Sequence, residues 1–328
     1  MSNPNSLAGP AALEAARALR LTIDPWILRT PVLRPIGIED ALGSGTRVSA
    51  KLEFLQQTGT FKARGALASL DRLSGAERAA GVTAVSAGNH AIAVAYAAQV
   101  YDVDARVVML STASPLRVQR CRDFGADVVL ADDVHEAFRV AEDIQKTDGR
   151  SFIHPFEGEG VTLGTATLGV EICEQIPDFD ILLVPVGGGG LCSGVSLAAR
   201  LLNPSATVIG IEPEGADTMF RSFAADEPQS IDRVDTIADS LGAPYALPYS
   251  FRLCRDNVER IVRVSDSELR AAMRFLFRKQ KLAVEPACAA TTAAVLGPLR
   301  DEIAGKHVAL VMCGSNIDWH TFARYAEL

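Results

Sequence analysis

The run Ile181-Leu182-Leu183-Val184-Pro185-Val186 stands directly before four consecutive glycines, Gly187 to Gly190, and then Leu191-Cys192-Ser193-Gly194-Val195. An apolar run without alternation reads as a strand covered on both faces, which confines the chain to a layered architecture with a parallel sheet. Glycine carries no Cβ, so successive backbone N–H groups beyond the strand end can converge on one oxyanion. The helix that follows adds its positive N-terminal end. The segment predicts a phosphate cradle, without saying whose phosphate it holds.

Strand-like and helix-like segments alternate through most of the remaining sequence. Apolar, β-branched stretches at 48–55, 82–86, 105–110, 126–130, 207–211 and 308–312 predict further strands, and 62–73, 89–100, 115–124 and 135–145 predict helices. Strand–helix–strand repetition with continuously apolar strands predicts an α/β fold of parallel-rich twisted sheets flanked by helices. At 328 residues the chain suits two domains. The strand–helix units between about residues 72 and 155 form a set of their own. The expected organisation is a small domain at 72–155 inserted into a large domain made of 1–71 and 156–328, with the active site between them.

Composition excludes several classes of function. A formal net charge of −8 with no Lys/Arg run argues against nucleic-acid or anionic-membrane partners. The six cysteines form no C-x-x-C pair and match no zinc spacing, which points to a reduced, intracellular protein. No uninterrupted apolar stretch reaches membrane-spanning length. Met1–Pro10 lacks a signal-peptide pattern, and the Arg-containing segment Ala11–Leu21 carries Glu14, which speaks against a transit peptide. A cytoplasmic location is expected.

Two further clusters carry chemistry. In Gln56-Gln57-Thr58-Gly59-Thr60-Phe61-Lys62-Ala63-Arg64-Gly65-Ala66 a polar turn leads into a helix whose first turn holds Lys62. A helix N-terminus disfavours a cation, as does desolvation by Phe61, and both lower the amine pKa. A Schiff-base lysine needs this, because only the neutral amine attacks a carbonyl. Taken alone, Lys62 reads better as a solvated surface lysine. In Ser86-Ala87-Gly88-Asn89-His90 a strand end again meets a helix N-terminus, where exposed N–H groups can hold a carboxylate. Taken alone, this segment is also an ordinary capped helix start.

Together and in order, these clusters resemble the fold-type II pyridoxal 5′-phosphate (PLP) enzymes, the tryptophan synthase β-like fold, and within them the threonine/serine dehydratase and serine racemase branch. The resemblance runs from about Ile27 to the end. It rests on Lys51 and Glu53 through Gln57-Thr58-Gly59-Thr60-Phe61-Lys62, Arg64, Gly65 and Ala66, on Ser86–His90, on Gly187–Leu191, on Glu285-Pro286 and on Cys313-Gly314-Ser315-Asn316. It implies that Lys62 holds the cofactor as a Schiff base and acts as the base at Cα. It further implies that Phe61 packs by the ring, that Asn89 bonds the ring 3′-oxygen, and that Gly187, Gly188, Gly189, Gly190 and Leu191 cradle the phosphate. Ser86, Ala87, Gly88, Asn89 and His90 receive the substrate carboxylate, Cys313 faces the pyridine nitrogen, and Glu285 lies near the ring. A homodimer with a mobile small domain is implied as well.

PLP supplies the electron sink and the protein selects the bond that breaks. A thiol at the ring nitrogen is a weak neutral partner, which favours prompt loss of a β-leaving group. Racemases of the branch are similar but carry a serine where this chain has Ala87, which has no exchangeable proton. The expected reaction is β-elimination of a 3-hydroxy amino acid such as L-threonine or L-serine to a 2-oxo acid and ammonia. The alternatives are 3-hydroxyaspartate or another specialised substrate, a racemase, or a PLP-binding protein without catalysis. Biosynthetic threonine dehydratases resemble this chain but add a C-terminal regulatory domain, so no isoleucine feedback is expected.

Two segments depart from the branch. Gly164-Thr165-Ala166-Thr167, after Glu157-Gly158-Glu159-Gly160, replaces a Gly-Gln-Gly-Thr core that lies near the substrate cleft of relatives. Glu212 and Ala216 match a divalent-cation site, but its third position is Thr218, with Asp217 beside it. Threonine is a poorer ligand than carboxylate for a hard cation. Ser240, within Asp239–Pro244, either touches substrate or caps a turn. Arg64 reads as a helix-face ion pair rather than a carboxylate clamp.

Overall fold

The computed structural model describes residues 9–327, so the expectation for Met1–Pro10 lies almost wholly outside the described residues. The strands are β1 (Val32–Leu33), β2 (Arg47–Leu52), β3 (Val82–Val85), β4 (Ala105–Leu110), β5 (Asp127–Ala131), β6 (Ser151–Phe152), β7 (Ile181–Pro185), β8 (Thr207–Pro213), β9 (Arg260–Val264) and β10 (His307–Met312). They form a six-stranded sheet in the order β1-β2-β10-β7-β8-β9 and a four-stranded sheet in the order β5-β4-β3-β6. All pairings are parallel except β1 against β2. The α/β class with parallel-rich sheets is as expected.

The apolar pattern explains the order. Every residue of β7 and of β10 is buried, and these two strands lie at the centre of the larger sheet. Strands that meet helices on both faces leave no side for water, so continuous apolar runs go to the middle. Strand β5 mixes exposed and half-buried residues and lies at an edge. Strands β1, β6 and β9 carried too little apolar signal to be predicted. β1 and β6 are two residues long, and β9 alternates arginine with apolar residues.

Helices cover both sheets. Asn89–Tyr101 is buried from Asn89 to Ala98 and packs with Ile23, Leu67 and Met109 in one core of the smaller sheet. A helix apolar all round belongs inside. Helix Val134–Asp148 closes the other face through Ala137, Ala141 and Ile144. Helices Glu159–Gln175 and Gly190–Leu202 pack on each other beside the larger sheet. The C-terminal ends of β3, β7 and β10 lead into Ser86–His90, Gly187–Gly190 and Cys313 respectively, the place where open α/β sheets gather ligands.

Candidate active site

These strand ends line one cleft of about 1020 Å³. Phe61 and Lys62, the whole of Ser86–His90, Gly187 to Leu191, Glu285 and Cys313 all face it, as does Ser240. Residues separated widely in sequence thus meet in one cavity. An isolated antiparallel bridge pairs Thr60 with Gly314, and the Phe61 N–H donates to the Cys313 carbonyl at 3.1 Å. The lysine turn and the end of β10 are therefore one unit.

Lys62 opens helix Lys62–Asp71. Its amine donates to the Pro155 carbonyl at 2.5 Å and lies 5.2 Å from the centroid of the Phe61 ring. Burial lowers its pKa to about 8, against the opposing pull of Cys313 and Glu285. Two histidines nearby stay neutral. Burial brings His90 to about 3, its Nε2 lying 2.8 Å from the Ile153 carbonyl. Burial brings His154 to about 4, and its Nδ1 accepts the Phe156 and Glu157 N–H groups at 3.2 and 2.9 Å. The Cys313 thiol is pushed well up by its hydrogen bond with Cys288 and by burial, so it too is neutral.

Asn89 joins the sheets across the cleft. Its Nδ2 donates to both Glu285 oxygens at 2.8 and 3.1 Å and to Ser240 Oγ at 3.1 Å, and its Oδ1 accepts from Asn316 Nδ2 at 2.8 Å. Burial raises the Glu285 pKa, with Arg117 opposing. Arg117, on helix Pro115–Asp123, carries no sequence signal yet reaches into the same seam. It donates to Asp239 at 2.5 Å and to the Asn316 carbonyl at 3.0 Å.

The glycine run fits a phosphate group. Gly189 has φ +91°, where a side chain is strained. A Cβ on Gly188 would stand 2.3 Å from the Phe156 ring, so the backbone has to be bare for the cleft floor to close. The amine of Lys62 with its lowered pKa, the N–H groups at the start of helix Gly190–Leu202 and a neutral thiol are a donor set suited to an aldehyde-bearing phosphorylated pyridine.

The other predicted residues fall elsewhere. Thr165 is fully buried, and its hydroxyl lies within hydrogen-bond reach of the Val161, Thr162 and Gly190 carbonyls at 3.0, 3.2 and 2.8 Å. It braces the glycine run from behind and does not line the main cleft. Glu157 of the other divergent stretch accepts the Tyr249 and Ser250 N–H groups at 2.7 and 3.0 Å, capping a neighbouring helix. Arg64 makes its ion pairs inside the protein. It lies fully buried between Glu53 and Glu171, with five contacts to their carboxylates and to Thr167 between 2.8 and 3.1 Å.

Glu212 and Ala216 lie outside the cleft. Both Glu212 oxygens accept backbone N–H groups, from Met219 and Phe220, each at 2.8 Å. Burial raises this carboxyl to about 8. Asp217 is held by Arg221 at 2.7 Å and Arg263 at 2.9 Å, while the Thr218 hydroxyl donates to the Ala243 carbonyl at 2.7 Å. These groups are already engaged, and among the described residues no group of three or more His, Cys, Asp and Glu could hold a metal ion.

A buried, pKa-depressed lysine facing a glycine cradle between two parallel sheets defines a class of cofactor enzyme. Residues 23–314 match the family of pyridoxal-phosphate dependent enzymes. The chain belongs to that family, in its fold-type II branch, and its cofactor is PLP. It is 53% identical over 316 residues to phenylserine dehydratase of Ralstonia pickettii, covering 96% of each chain. It is 40% identical to L-threonine ammonia-lyase of Thermotoga maritima, covering 84% of this chain and 68% of that one. The structure of maize serine racemase superposes with a TM-score of 0.91 at 32% identity, covering 97% of this chain and 96% of that one.

Proposed function

We infer that the protein is a PLP-dependent dehydratase that converts a 3-hydroxy amino acid to a 2-oxo acid and ammonia. The observation that carries this reading is one buried amine, Lys62, facing a carboxylate loop that has Ala87 where a second acid/base group would stand. When bound, the cofactor supplies the electron sink for the pair left on Cα.

The residues then divide the remaining tasks. Lys62 would anchor the cofactor, and as a neutral amine its Nζ would take the Cα proton of the substrate. The N–H groups of Ser86–His90, at the start of helix Asn89–Tyr101, orient the carboxylate. Gly187–Leu191 would hold the phosphate. Phe61 and Asn89 would hold the cofactor's ring, and Glu285 orients Asn89. Cys313 would offer the cofactor a neutral thiol rather than a carboxylate, which would favour expulsion of the β-hydroxyl over return of the proton. His90 and His154 remain uncharged at neutral pH and supply no competing acid.

Within this class, 3-hydroxy amino acids with an apolar substituent come first. The relative named phenylserine dehydratase and the roomy cleft support that choice over serine or 3-hydroxyaspartate. A panel of PLP-loaded assays, with 3-phenylserine, threonine, serine and 3-hydroxyaspartate scored by 2-oxo-acid release, tests it. Turnover of none of them overturns the reading.

Several coarser features belong to the same proposal. The two sheets support lobes made of 1–71 with 156–328 and of 72–155, with closure over substrate. Six free cysteines support a reducing, cytoplasmic setting. Family resemblance supports a homodimer, which sedimentation velocity decides. A cation at Glu212 and Ala216 is not part of the proposal, because both Glu212 oxygens and the neighbouring Asp217 are already engaged. No helix among the described residues is long and apolar enough to cross a membrane.

A further inference from the structure

Helix Val134–Asp148 buries Ala137, Ala141 and Ile144 against the four-stranded sheet. Val134 and Phe138, one turn apart on an adjoining stripe, stay out of that core and line the cleft instead. Val134 is 49% exposed. Strand geometry brings three more apolar side chains to them. Val85 and Val108 are partners across the β3–β4 ladder, and Leu110 follows Val108 by two residues on the same face. All five line the cleft, and Val85 directly precedes the carboxylate loop at Ser86.

Both arginines of the cleft are already paired. Arg117 pairs with Asp239 at 2.5 Å and Arg233 with Asp235 at 3.5 Å. A second carboxylate on the substrate would therefore have to break an existing ion pair to reach either guanidinium. An apolar ring meets no such obstacle, and an aromatic neighbour such as Phe138 offers edge-to-face packing.

We propose that Val85, Val108, Leu110, Val134 and Phe138 form the subsite for an aryl group on the substrate's β-carbon, with Phe138 and Val134 setting specificity. The proposal rests on the dehydratase reading and deepens it. The loop fixes the carboxylate, Lys62 fixes the Cα–H, and the apolar wall adjoining the loop takes the β-substituent.

The test compares wild type, Phe138→Ala and Val134→Thr, each loaded with PLP. The specificity ratio kcat/KM for 3-phenylserine over threonine is expected to fall about tenfold or more in Phe138→Ala, the scale of a lost hydrophobic contact. Threonine turnover and the visible cofactor band should persist, which controls for folding. Binding of L-phenylalanine against L-alanine, read from the shift of that band, should lose its preference in parallel. An unchanged ratio and unchanged binding preference in both variants would overturn the proposal, as would equal losses for both substrates. If wild type turns over neither hydroxy amino acid, the dehydratase reading fails, while the binding preference still decides the wall.

Discussion

Lys62 is useful only as a free base, and its surroundings bring that form closer to neutral pH. Burial takes its pKa to about 8, so the reactive fraction rises as pH increases through that value and levels above it. The rate at which the apo-protein captures PLP, followed by the growth of the visible band, should show this single ascending limb. A limb displaced toward the ordinary lysine value near 10.4 would mean that the amine is solvated. Lys62→Ala should show no band attributable to a lysine adduct. Sequence pattern brought out the lysine, the loop and Cys313 because each sits where a strand ends and a helix or turn begins. It did not bring out Arg117, Val134 or Phe138, because their meeting depends on how a helix of the smaller sheet faces loops of the larger one. It also put Thr165 at the cleft, whereas its buried hydroxyl holds Gly190 from behind.

At the level of elements, two junctions hold the site. The glycine run must stay bare. Gly188→Ala sets a methyl 2.3 Å from the Phe156 ring, and its expected effect is a loss of PLP affinity of at least about tenfold, near 1.4 kcal/mol, by equilibrium titration. Wild-type affinity in this variant would show that Phe156 moves aside freely. The second junction is the ion network beneath helix Lys62–Asp71. Glu171 accepts from Arg64 at 2.9 Å and from Lys51 at 2.8 Å, and meets Arg20 at 2.5 Å, while Glu53 takes the other side of Arg64 at 2.8 Å. Removing one partner strands buried charge, so Arg64→Ala should cost roughly 3–5 kcal/mol by denaturant unfolding of the PLP-loaded protein. A cost below about 1 kcal/mol would mean that water replaces the guanidinium. The sequence pattern located the helix and an ion pair for Arg64 but not its partner Glu171, which lies far along the chain with nothing local to signal their meeting.

Across the whole molecule, the cleft is closed by side chains that cross between the sheets. Arg117 joins a helix of the smaller sheet to Asp239 and Asn316 beside the larger one. Asp239 is largely solvated, which moderates the pair. Arg117→Met should therefore raise KM several-fold while leaving the cofactor band in place, and a fall in kcat alone would argue against a closing role. Treatment with EDTA should leave both activity and thermal stability unchanged. A loss restored by Mg²⁺ would show that Glu212 can exchange its backbone donors for an ion. Two-sheet architecture was legible because the central strands are apolar without interruption, while the short strands β1 and β6 depend on their neighbours rather than on their own residues. The most direct measurement starts from one pure enantiomer of 3-phenylserine and follows 2-oxo acid, ammonia and the configuration of unreacted substrate in the same sample. Equimolar oxo acid and ammonia, with the remaining substrate unchanged in configuration, is the predicted result. Inversion of the substrate without oxo acid, or release of neither product, would contradict elimination by Lys62 opposite Ala87.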